Sequence, residues 1–339
     1  MRIGLLRALM LGDLLCAVPA LRALHAEYPA ARITLIGLPW AREFAARFRR
    51  YLYDFLEFPG FAGMPESPPA DPAAIQAFFR RTRAAKFDLL LQMHGSGEIT
   101  NPLAALAGAR LTAGFYRAGH YCPDPERYVE WRDDEHEVLR YLRLTERLGI
   151  PGRGGALEFP LHEADWREWR DTGLAPGSYA VVHAGSQLPS RRWPAARFAQ
   201  VADALAKDGV QIMLTGTKDE AAVTAAVRSA MRHPARDLTG LTTLGGLAAL
   251  VARARLVLAN DTGISHIAAA LRTPSVIVAS GSDPVRWAPL DRQLHRVLWH
   301  PTACRPCAHR DCPIGHPCAL GVPAEKVVHE ALSLAACAA

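Results

Sequence analysis

The stretch Asn260-Asp261-Thr262-Gly263-Ile264-Ser265-His266 has the residue types of a phosphate site, placed between an apolar run, Leu256 to Ala259, and a helical pattern, Ile264 to Leu271. A strand that ends in a Gly-containing turn and runs into a helix aims backbone N–H groups and the positive helix end at whatever lies above the sheet. Diphosphate suits that place. Thr262 adds a hydroxyl donor, Gly263 permits close backbone approach, and His266 lies one turn on, within reach of a phosphate or sugar oxygen. The competing reading is an ordinary Asx-type helix cap with nothing bound.

The amino terminus has the same grammar: a strand from Ile3 to Leu6, a loop from Arg7 to Gly12, and Asp13 at the start of an amphipathic helix reaching Tyr28. At the carboxyl edge of a sheet, the usual ligand position in open α/β folds, this carboxylate can take the proton of an attacking hydroxyl. As a plain N-cap it would do no chemistry.

Four of the seven cysteines, Cys304, Cys307, Cys312 and Cys318, crowd together with His309 and His316 among them. These are enough ligands for a small structural zinc site, although the spacing matches no standard finger or ribbon. Reduced thiols packing a Pro-rich loop, or a bridge formed on oxidation, are the alternatives.

The elements that must position these residues are α/β units. In the first half, strands at Ile3–Leu6, Arg32–Gly37 and Leu89–Met93 alternate with helices at Asp13–Tyr28, Trp40–Arg47 and Ala73–Ala85. A helix from Glu135 to Leu148 follows, and Gly149 to about Gly177 reads as a linker. The second half restarts with strands at Tyr179–His183, Gln211–Thr215, Leu256–Ala259 and Ser275–Ala279, and helices at Ala195–Lys207, Asp219–Met231 and Leu244–Arg253. Near-continuously apolar strands separated by helices imply parallel sheets covered on both faces. Pro59 to Pro72 reads as a surface loop with no assigned role, although a loop over a cleft can help to bind an acceptor.

With 339 residues, half of them hydrophobic, the chain suits two domains with proper cores. No apolar run approaches the roughly 20 residues that span a bilayer, and Met1 to Leu15 lacks the marks of a secretory signal, so a cytoplasmic location is expected. A net charge of +6 favours anionic partners such as nucleotides, phosphorylated glycolipid or an acidic membrane face. Nucleic acid is not expected as a partner, because there is no basic stripe interleaved with aromatics. Arg7 to Asp13 lacks G-x-G-x-x-G, which disfavours a dinucleotide-dependent oxidoreductase.

Taken together, Gly12-Asp13, Pro19 to Leu24, Tyr28-Pro29, His183-Ala184-Gly185-Ser186, Arg192-Trp193-Pro194, Phe198, Leu214-Thr215-Gly216 with Glu220, Asp237-Leu238-Thr239-Gly240, and Asp261-Thr262-Gly263 with His266 resemble glycosyltransferase family 9 heptosyltransferases in order and spacing. The clustered cysteines are similar to those of many members. The resemblance implies a GT-B fold: an acceptor-binding domain over residues 1–165 and a nucleotide-sugar domain over 175–322, both doubly wound and Rossmann-like, facing a central cleft. A terminal helix over 323–339 is a candidate to cross back to the first domain.

The implied reaction is inverting and metal-independent: heptose passes from ADP-heptose to a sugar of the lipopolysaccharide inner core. It implies no required cofactor, a site at the cytosolic face of the inner membrane, and peripheral membrane contact. Asp13 is the implied base, with Gly12 beside it. Ser186, Arg191, Arg192, Glu220, Asp261, Thr262, Gly263 and His266 are the implied donor contacts. Arg192 stands where many members carry lysine, so the charge is kept but the geometry changes, and neighbouring Arg191 is an alternative for the same work. Glu220 reads equally as a helix-start carboxylate, and Trp193 as packing beneath the arginines. A GT-B enzyme for another nucleotide sugar or acceptor, and a non-catalytic nucleotide-binding protein, are the rival readings.

Overall fold

The computed structural model describes residues 1–66 and 70–337. Contacts divide the chain into Met1–Gly155 and Ala156–Ala339, a division inside the stretch read as a linker.

In the first unit, β1 (Arg2–Leu6), α1 (Leu11–Glu27), β2 (Arg32–Gly37), α2 (Ala41–Arg47) and β3 (Asp54–Glu57) are followed by α3 (Pro72–Ala85), β4 (Leu89–Gln92) and α4 (Thr100–Leu106). β5 (Leu111–Tyr116), β6 (Tyr128–Glu130) and α5 (Glu137–Arg147) complete it. Its six strands run in the order β3-β2-β1-β4-β5-β6, all pairs parallel.

In the second unit, α6 (Glu163–Asp171), β7 (Tyr179–His183), α7 (Ala195–Lys207), β8 (Gln211–Leu214), α8 (Ala221–Ala230) and β9 (Arg236–Asp237) precede α9 (Leu244–Ala252) and β10 (Leu256–Asn260). Then come α10 (Gly263–Leu271), β11 (Ser275–Ala279), α11 (Pro284–Trp287), β12 (His295–Trp299), α12 (Pro317–Leu320) and α13 (Ala324–Cys337). The order β12-β11-β10-β7-β8-β9 repeats the topology of the first sheet, again wholly parallel. Two doubly wound units in one chain are the α/β, GT-B class of fold.

Burial on both faces explains why the central strands are almost wholly apolar. On one face of the second sheet, Val182, Leu214, Leu258 and Val278 pack with Phe198 and Leu205 of α7 and with Val327, Ala331 and Leu334 of α13. The helix expected to return to the first domain therefore has its apolar face taken up in the second unit. α6, within the expected linker, packs on α9.

Helix α1 departs from the amphipathic expectation. Leu14 to Leu21 are buried without a break, because α5 covers the side of α1 that would otherwise meet water. The strands absent from the sequence reading include the short outer strands β3, β6 and β9 and the mixed strand β12, where apolar runs are too brief to signal. Within the expected Pro59 to Pro72 loop, Ser67-Pro68-Pro69 lie outside the described residues.

Candidate functional site

Strand order reverses between β1 and β4 in the first sheet and between β7 and β10 in the second. The carboxyl ends of such strand pairs are where open α/β sheets take ligands. Gly12 and Asp13 lie in the first turn of the helix after β1, Ser186, Arg191 and Arg192 in the segment after β7, and Asp261, Thr262 and Gly263 directly after β10.

In the first unit, Asp13 is not the N-cap of α1; Met10 is, and Asp13 is the third helical residue. Its Oδ2 accepts the Met10 N–H at 3.2 Å, while Oδ1 lies 3.6 Å from Arg7 Nη2. The Asp13 side chain keeps 20% exposure, whereas Arg7 beneath it is wholly buried. Gly12 is the half-buried residue before it in the same turn.

Arg7 escaped the sequence reading as a site residue. Its Nε donates to the Asp13 carbonyl at 2.7 Å, Nη1 to Met93 O and Tyr141 Oη, and Nη2 to Glu137 Oε1 at 3.3 Å. Glu137 is also bonded by Arg140 and Tyr141. Burial alone would lower the Arg7 pKa, but Tyr141, Asp13 and Glu137 outweigh it and the guanidinium is held above its ordinary value. The only prior signal was an arginine just beyond an apolar strand.

At the end of β4, His94 Nδ1 accepts the Ala8 N–H at 3.2 Å, which leaves Nε2 facing Glu66 Oε2 at 3.6 Å, too long for a hydrogen bond. Burial opposes ionisation of Glu66, yet the neighbouring His94 holds its carboxyl below the usual value. These two residues line a small cavity of about 140 Å³ with Met64, Gly95, Ser96 and Thr100.

In the second unit, the loop after β7 and the start of α10 are tied together by Asn260, which is wholly buried. Its Oδ1 accepts the Trp193 N–H at 2.9 Å and its Nδ2 donates to Ala184 O at 2.8 Å. Trp193 is a core residue whose Nε1 donates to Val322 O at 3.1 Å. Arg192 Nε donates to Ser186 O at 2.9 Å, clamping the loop on itself, and Ser186 is buried within it.

The cap of α10 is Thr262 rather than Asp261. The Thr262 hydroxyl accepts the Gly263 N–H at 2.7 Å, and its carbonyl accepts from the Ser265 N–H and hydroxyl. Asp261, Thr262 and Gly263 remain half-buried at this helix start. His266 is buried, edge-to-face with Trp287 at 6.2 Å. Arg292 and Arg305 both act electrostatically on Asp261, and burial lowers each guanidinium's pKa.

Glu220 does the helix-start work expected of it, its Oε2 accepting the Thr217 N–H at 2.8 Å. The same carboxylate lies against Gly185, where an added Cβ would sit 2.2 Å from it, so a larger residue there has to push the Glu220 side chain aside. Glu220 also faces His183 at 3.7 Å. Burial pushes the His183 imidazole pKa down, with Glu220 opposing, and Thr215 Oγ1 lies 3.1 Å from Nδ1.

The cysteine-rich segment braces this edge of the sheet. Cys307 N–H donates to Gly281 O at 2.7 Å, Ser190 Oγ to His309 O at 2.6 Å, and Arg191 Nη2 to Cys307 O at 3.3 Å. His316 Nε2 lies 2.7 Å from Ser190 O. Among the described residues no three His, Cys, Asp or Glu side chains converge as a metal-binding set. Backbone contacts fix these loops in this arrangement.

Fold and strand-end chemistry together are those of a two-domain nucleotide-sugar glycosyltransferase. The family model for glycosyltransferase family 9 (heptosyltransferase) matches residues 75–317, and the chain belongs to that family. It is similar to lipopolysaccharide heptosyltransferase 3 of Escherichia coli, 24% identical over 294 residues covering 82% of this chain and 83% of the relative. The structure of E. coli ADP-heptose lipopolysaccharide heptosyltransferase II aligns with a TM-score of 0.76 at 19% identity, covering 99% of each chain. E. coli heptosyltransferase WaaC, solved with ADP-2-deoxy-2-fluoro heptose, aligns with a TM-score of 0.63 at 18% identity, covering 97% of this chain and 99% of that one.

Proposed function

We propose that this enzyme moves heptose from ADP-heptose to a sugar of the lipopolysaccharide inner core, with inversion at the anomeric carbon. The observation that carries the reading is Asp13: a partly exposed carboxylate at the switch point of the first sheet, anchored from below by a buried guanidinium. Asp13 takes the proton of the acceptor hydroxyl as its oxygen attacks the anomeric carbon. The bond to the diphosphate breaks and ADP leaves.

The second unit holds the donor. Thr262, Gly263 and the start of α10 receive the diphosphate, Arg191 or Arg192 neutralises its growing charge, and Ser186 and His266 complete its surroundings. Glu220 takes the ribose hydroxyls beside Gly185. The guanidinium at position 192 grips two phosphate oxygens where an ammonium would act as a point charge. The names of the similar proteins support the donor and acceptor classes.

No described helix is long and apolar enough to cross a membrane. The acceptor is met at the cytosolic face of the inner membrane through transient contact of a basic surface.

Calorimetry with ADP-heptose, UDP-sugars and GDP-sugars, followed by ADP-release assays with and without EDTA, tests the reading. Selective ADP-heptose binding and EDTA-insensitive turnover are expected. Preference for another nucleotide sugar would move the chain to a different donor, and EDTA-sensitive turnover would remove the metal-independent mechanism.

A further inference from the structure

We propose that Arg7 is the positioning residue for Asp13, held in turn by Glu137 and Tyr141 of α5; the inference rests on the reading of Asp13 as the base. Burying a guanidinium completely is costly, and an apolar side chain would fill the same space at lower cost. Its geometry shows what the charge is used for. Nε grips the Asp13 backbone carbonyl at 2.7 Å, which fixes the first turn of α1 against the end of β1. Nη2 stands 3.6 Å from Oδ1, on the side of the carboxylate opposite the oxygen that holds the Met10 N–H.

The carboxylate is thereby fixed by its backbone, by one oxygen on a backbone donor, and by the other beside a charge that favours its ionised form. Arg7 Nη1 also bonds Met93 O at the end of β4, so the same fork ties together the two strands of the switch point.

The arginine itself is held by α5. Glu137 and Tyr141 lie one helical turn apart on the face packed against α1, both bonded to Arg7 and to each other. Arg140 bonds the second Glu137 oxygen and stacks 3.7 Å over the Trp131 ring, which balances the charge of the cluster. Bonds in four directions need the planar fork of arginine; lysine keeps the charge without the geometry.

The test measures kcat and donor KM for Arg7→Lys, Arg7→Met and Tyr141→Phe, each in the unmodified enzyme and with Asp13→Asn. Misplacing a reacting group by about 1 Å costs on the order of 100-fold, so kcat should fall about 100-fold in Arg7→Met and about 10-fold in Arg7→Lys. Donor KM should stay within about twofold, because the donor is assigned to the other unit. In the Asp13→Asn background the Arg7 substitutions should cost nothing further, which a general folding role would not produce.

Undiminished kcat in Arg7→Met, or losses that multiply with Asp13→Asn, would overturn the proposal. If Arg7→Met fails to fold, Tyr141→Phe keeps the packing and removes one anchor; a loss of a few fold that vanishes with Asp13→Asn supports the role, and an unaltered kcat contradicts it. Asp13→Asn with full kcat would instead sink the reading of Asp13 as base, and the assigned role of Arg7 with it.

Discussion

The two sheets share one topology and present opposite chemistries at the same place. At the β1/β4 switch point the chain spends a buried cluster of arginine, glutamate and tyrosine on holding one carboxylate where a ligand can reach it. At the β7/β10 switch point what is presented is a helix start capped by Thr262, hydroxyls and arginines. The first arrangement suits proton removal and the second suits the reception of an anion. Topology selects the location and leaves the chemistry to the loops.

Substitutions can break that contrast one side at a time. The largest effect is expected at Asp13, where Asn should lower turnover by about 1,000-fold, within the usual range for losing a general base, with ADP-heptose affinity by calorimetry little altered. On the second side, Arg192→Ala should weaken ADP-heptose binding by about 10- to 100-fold, the worth of a charge-assisted phosphate contact, and Arg192→Lys should recover part of it.

Gly185→Val drives a side chain into Glu220 and should weaken donor binding about 10-fold, comparable to one hydrogen bond. If the loss comes from this clash, adding Glu220→Ala to Gly185→Val should cost less than Glu220→Ala alone, in the same titration. Asn260→Ala leaves the Trp193 N–H and the Ala184 carbonyl unpaired in the core, and melting should show a loss of about 2–4 kcal/mol.

A further effect is a pH dependence of stability. Burial lowers the His295 pKa to about 4, and its Nδ1 lies 2.8 Å from Ser275 Oγ. The unfolded chain then binds the extra proton first, so this contribution is present above about pH 6.5 and is lost as pH falls towards 4. Chemical denaturation across that window should show His295→Gln flattening the decline by no more than about 3 kcal/mol.

Much of this contrast is legible in the residues. Central strands announce themselves because burial on both faces demands continuous apolar runs, and the pattern changes abruptly at Asp261-Thr262-Gly263 after β10 and in the turn that carries Asp13 into α1. What joins distant positions is not legible. The bonds from Arg7 to Glu137 and Tyr141 span more than a hundred residues, and neither partner is marked by spacing. Asn260 reads as one more polar residue after a strand until Trp193 is placed beside it. The hydrogen bonds to backbone carbonyls that hold the cysteine-rich loop, from Cys307 N–H to Gly281 O and from Ser190 Oγ to His309 O, are likewise invisible in its composition.

The central claim, heptosyl transfer from ADP-heptose, is tested most directly by incubating the unmodified enzyme with ADP-heptose and heptose-deficient lipopolysaccharide. ADP release and acceptor mass are followed together. The account predicts ADP release only when acceptor is present, matched one for one by acceptor gaining a single heptose. Tight ADP-heptose binding without ADP release or mass gain would contradict it and leave a nucleotide-sugar binder in place of a transferase.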